Sequence, residues 1–100
     1  MLYMVVSTHG PDTCPAANES AKQMALAMAP KMDKVAKSHG CAIQGSWIHP
    51  SNHTSWVIID APHAHAVGQT VWELDLAKWN TIDIHPIVTM EEAMTKLLGA

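Results

Sequence analysis

The chain has 100 residues, 48% of them hydrophobic, with six Lys plus Arg against nine Asp plus Glu and a formal net charge of −3. That length makes one domain, and that apolar content excludes a largely disordered chain. The acidic balance speaks against nucleic acid or an anionic membrane surface as partner, since either would need basic side chains to neutralise phosphate. No apolar run reaches bilayer-spanning length, and the N-terminal residues lack the basic start of a secretion signal, so the expected location is cytoplasmic. In such a reducing setting Cys14 and Cys41 are expected as thiols. Seven His and four Trp stand beside seven Met and no Phe, a composition in which Met takes over much of the core filling.

Residues 2–9, "LYMVVSTH", are β-branched and aromatic and stop at Gly10-Pro11, which predicts a strand. A helix is predicted from Pro15 or Asn18 to Ser38, with Gly40 as the residue that ends it. At ~100° per residue its apolar stripe runs Ala21, Met24, Ala25, Met28, Met32 and Val35, and Pro30 falls on the solvent side. Segments 41–49 and 54–60 flank "PSNH", the signature of a hairpin. A second helix is predicted from Pro62 to Trp79. On it His65, Trp72, Leu76 and Trp79 share one flank of the apolar arc, and Asp75 falls inside that arc as a buried carboxylate. Residues 81–88, "TIDIHPIV", alternate cleanly, and Pro86 marks an edge strand. Thr89 and Glu92 have capping-box spacing and open a short helix to Leu98.

The order β-α-β-β-α-β-α over residues 1–100 predicts a single α+β domain of the ferredoxin-like split-βαβ type, with a four-stranded antiparallel sheet in spatial order 4-1-3-2. Helices then cover one face only, although both faces of the central strands are apolar. The uncovered face predicts a homodimer.

"MLYMVV" at the start, "GSW" in the second strand, the Trp-rich second helix and the ending "IHPIVTMEEA" resemble small proteins of the dimeric α+β-barrel superfamily. That superfamily includes antibiotic-biosynthesis-type monooxygenases, haem-degrading enzymes, muconolactone isomerase-like proteins and a small nickel-binding protein. The resemblance implies a barrel-like dimer with a pocket. It does not name the occupant, and the histidines of "HGPDTC" and "HAHAV" match no catalytic motif of those relatives.

The topology collects His9, Cys14, His49, His53 and Trp79 at one end of the sheet. His39, Cys41, His63 and His65 gather at the other, on the order of 20 Å away. Imidazole and thiolate suit zinc, copper or nickel, so His9, Cys14 and His49 are a candidate metal set. A thiol at the N-terminus of the first helix would also be thiolate-prone. His63 and His65 point about 160° apart on a helix and cannot share one ion. The second candidate site is a pocket lined by His65, Trp72, Trp79, His85 and Trp47, with His65 or His85 as acid/base group and Asp83 beside His85. A planar aromatic compound or a haem would fit such a lining. Each group also has a plain structural reading: packed histidines, a small buried cysteine and tryptophan as core filler. Three readings follow from the residues. One is a protein that binds a transition metal or small ligand through histidines. Another is a monooxygenase- or isomerase-type enzyme. The last is an interaction module without catalysis.

Overall fold

The structure, a computed structural model, describes residues 1–99. Its strands are β1 (Leu2–Thr8), β2 (Ala42–His49), β3 (Thr54–Asp60) and β4 (Thr81–Ile87), and its helices are α1 (Glu19–Met28), α2 (Met32–Ser38), α3 (Ala64–Glu73) and α4 (Met90–Gly99). All neighbouring strands pair antiparallel, in the order β2-β3-β1-β4. β4 lies at the sheet edge, where Pro86 interrupts no second ladder.

Period-two alternation sorts the sheet into two faces. Tyr3, Val5, Ser7, Val57 and Ile59 are buried on the back, with Ile82 and Ile84 of β4 against them. Val35 and Ala36 of α2, with Ala66, Val67 and Val71 of α3, complete this core. The front carries Leu2, Met4 and Val6 of β1 opposite Asp60, Ile58 and Trp56 of β3. No helix of the described residues covers that side to the point of burying it, and these residues are only half-buried or exposed. β2 has an irregularity between Ile43 and Gly45, and the Trp47 indole lies so close to Gly45 that a Cβ there would stand 2.6 Å from Trp47 Cη2. A side chain at 45 would therefore push the ring off the strand.

The first predicted helix is two. Pro30 has no N–H to bond the preceding turn, and a 3-10 segment over Ala29–Lys31 separates α1 from α2. The stripe nevertheless survives: Ala21 and Val35 are buried, and Met28 and Met32 pack on the core. The N-cap is Asn18, whose Oδ1 accepts from the Ala21 N–H at 2.9 Å, and Pro15 precedes the helix in a turn. α2 closes with the paired bonds Cys41 N–H to Ala36 O (2.9 Å) and Gly40 N–H to Lys37 O (3.0 Å). The φ of +75° at Gly40 makes that closure possible.

The second predicted helix is shorter at both ends. His63 is its N-cap, its Nδ1 accepting from the Ala66 N–H at 3.1 Å, so Pro62 lies outside. α3 stops at Glu73, Asp75 takes the left-handed conformation (φ 59°), and a 3-10 turn follows over Leu76–Lys78. Aspartate tolerates this conformation better than most residues, and a short side-chain contact to Lys78 (3.2 Å) accompanies it. The expected buried carboxylate is thus corrected: Asp75's side chain is 44% exposed. The helical period breaks at Leu74–Asp75, and every residue after 74 lies off the direction that an unbroken 3.6-residue period gives it.

Candidate functional site

Three chain segments meet at the end of the sheet where β1 leaves it. His9 follows β1 directly and extends the ladder, its N–H donating to the His53 carbonyl at 3.1 Å. His53 closes the β2–β3 hairpin after a 3-10 turn over Pro50–Asn52, in the left-handed conformation (φ 52°, ψ 39°). Thr54 steadies the turn, its hydroxyl donating to the Asn52 carbonyl at 2.9 Å. Cys14 comes from the loop between β1 and α1. There Gly10 accepts from the Thr13 N–H (3.2 Å), and the Cys14 carbonyl accepts from both Ala17 and Asn18 N–H groups (2.9 and 2.8 Å). This turn sets the thiol before the Asn18 cap rather than in the first turn of α1.

His9, Cys14 and His53 each offer one ligand atom, and the three atoms lie within 4.8 Å of one another. All three residues are half-buried. The imidazoles of His9 and His53 meet edge-on, centroids 5.1 Å apart, and the Trp79 indole stands 5.3 Å from His9. His9 Nε2, His53 Nδ1 and Trp79 Nε1 are buried without a hydrogen-bond partner. A buried polar atom without a partner costs about 1–3 kcal/mol, so two bare imidazole nitrogens beside one thiol call for an explanation.

Asn80 orients His9. Its Nδ2 donates to the Leu76 carbonyl at 3.1 Å, which turns Oδ1 toward His9 Nδ1 at 3.0 Å. An amide oxygen only accepts, so this network assigns the proton to Nδ1 and leaves a lone pair on Nε2. A ring fixed in this way is how a metal-ligating histidine is commonly held.

His49 is not in this group. It ends β2 as an exposed residue, and His53 stands where His49 was expected. Strand alternation governs His49, whereas the left-handed backbone of His53 turns that residue out of the strand pattern. Asn80 was not foreseen at all, because it enters through the 3-10 turn that interrupts the predicted helix. The five residues expected to line one pocket are spread over three surfaces. His65 and Trp72 are exposed and border a shallow cleft of about 670 Å³ with His39, Gln69, Glu73 and Asp75. Trp79 belongs with His9. His85 and Trp47 lie on the sheet front, opposite Met4 and Trp56. His65 therefore does not face inward: Ala66, Val67, Thr70 and Val71 take the buried side of α3.

At the other end His39 Nε2 meets Glu73 Oε1 at 3.2 Å, and the buried Cys41 thiol accepts from the Thr70 hydroxyl at 3.8 Å. Both cysteines are free. No helix of the described residues is long and apolar enough to cross a membrane. The sequence matches the family described as a domain of unknown function, DUF3303, over residues 1–100, and the chain belongs to that family. No curated protein matches it.

Proposed function

For this member of the DUF3303 family we propose that His9, Cys14 and His53 bind a transition-metal ion, and that this is the protein's biochemical task. The observation that carries the reading is the pair of buried, unpartnered imidazole nitrogens, His9 Nε2 and His53 Nδ1, in a group whose third member is a free thiol. Two imidazoles and a thiolate are a borderline-soft donor set suited to zinc, copper or nickel, and three ligands leave a position for water or a small ligand. Tetrahedral bonds of roughly 2.0–2.3 Å require the three ligand atoms to draw somewhat closer. A reduced thiol in the ligand shell fits a cytoplasmic location.

We read the scaffold as ferredoxin-like, with the sheet front covered by a second copy in the manner of a dimeric α+β barrel. The support is the apolar front itself, with Leu2, Met4, Val6, Trp56 and Ile58 uncovered by any helix.

Cobalt(II) and zinc(II) titration of the tag-free protein tests the metal reading. One equivalent per chain is expected, with a sulfur-to-cobalt charge-transfer band. His9→Ala, His53→Ala and Cys14→Ser should each abolish it, and His49→Ala should leave it intact. Undiminished binding in His53→Ala, or loss in His49→Ala alone, overturns the assignment.

A further inference from the structure

Helix α4 has no home in its own chain. All of its residues are exposed, with Met90, Leu97 and Leu98 each more than 70% accessible. Yet it is amphipathic. Met90, Ala93, Met94, Leu97 and Leu98 fall within an arc of about 140°, and Glu91, Glu92, Thr95 and Lys96 occupy the rest. The Thr89 hydroxyl caps it, accepting from the Glu92 N–H at 3.0 Å. A ten-residue helix is marginal in water by itself, so its stability must come from packing of that arc. Only Val88 and Thr89 separate it from β4, and the helix does not turn back to bury its arc on its own sheet. The molecule is drawn out accordingly, 52 Å along its longest axis, with a radius of gyration of 14.9 Å where about 13 Å is ordinary for this length.

The chain thus presents two unpartnered surfaces with apolar centres, a sheet front whose β4 edge carries Asp83 and His85 and a helix stripe, on elements joined by two residues. We infer that α4 of one copy packs on the sheet front of a second copy, and reciprocally. The inference rests on the two-copy dimer of the reading given above, but puts α4, rather than the facing sheet of a barrel, on the front. The dimensions agree: α4 is about 15 Å long, and a four-stranded front is roughly 19 Å across. A two-fold arrangement satisfies both surfaces of both copies at once. The polar arc, with Glu91, Glu92 and Lys96, then faces water.

The test is sedimentation of the full chain and of a Met94→Glu, Leu97→Glu variant. Neither side chain is buried in its own subunit, so the variant should fold, as retained cobalt binding and near-native circular dichroism would report. A dimeric parent and a monomeric variant are the expected result. A variant as dimeric as the parent overturns the role of α4 while leaving a dimer made by the sheets. A monomeric parent overturns both.

Discussion

Asn80 Oδ1 accepts from His9 Nδ1 at 3.0 Å while Asn80 Nδ2 donates to the Leu76 carbonyl at 3.1 Å, so one amide settles which nitrogen of His9 is bare. The two residues are 71 positions apart. Outer partners of this kind are commonly worth 10–100-fold in metal affinity. Asn80→Leu should weaken metal binding by about that factor. Asn80→Asp keeps an acceptor for His9 and should retain most of the affinity. Competitive titration against a chelator of known affinity measures both.

His53 carries two burdens, a positive φ and a buried bare nitrogen. Glycine adopts that backbone without strain, although it also makes the unfolded chain more flexible. His53→Gly should therefore raise the stability of the metal-free protein by about 1 kcal/mol while removing metal binding. Added zinc should raise the melting temperature of the parent alone, because only a folded state that binds the ion gains from it. Thermal melts with and without zinc decide the matter. A destabilised metal-free His53→Gly would count against the account of this turn.

Asp75 also has a positive φ, and the 3-10 turn after it delivers Trp79 and Asn80 to His9. Its pairing with Lys78 is surface-exposed and worth little. Asp75→Asn should change stability by less than about 0.5 kcal/mol, since asparagine accepts the same backbone. Asp75→Val should cost about 2 kcal/mol, because a β-branched side chain fits this conformation poorly. Cobalt affinity should fall with it as Asn80 is displaced. Chemical denaturation and cobalt titration on the same samples report the two effects.

Val67 is fully buried on α3, and Trp72 on the same helix is 76% exposed. Burial rather than size should set the cost of truncation. Val67→Ala should lose about 2 kcal/mol from transfer and cavity terms, and Trp72→Ala less than about 0.5 kcal/mol. Urea unfolding monitored by circular dichroism separates them. Equal losses would mean that Trp72 is covered in the assembled protein.

Much of the fold could be read along the chain because its causes are local. Alternation in "TIDIHPIV", the turn formers of "PSNH", the closing Gly40 and the Thr89 cap each act within a few residues, and the structure shows β4, the hairpin, the α2 terminus and the α4 start where those signals lie. The convergence of His9 and Cys14 was legible for a related reason, since a strand end and the loop after it stay together in any pairing. His53 rather than His49, the exposure of His65, and the arrival of Asn80 were not. The first and the last turn on backbone angles, the left-handed conformations at His53 and Asp75, that local preference permits but does not require, whereas His65 is exposed because Ala66, Val67, Thr70 and Val71 take the buried side of α3. Tertiary packing selected those angles; a periodicity extended past Asp75 puts Trp79 on one flank with His65 and Trp72, whereas the strand topology already places it at the end of the sheet with His9, where the structure has it.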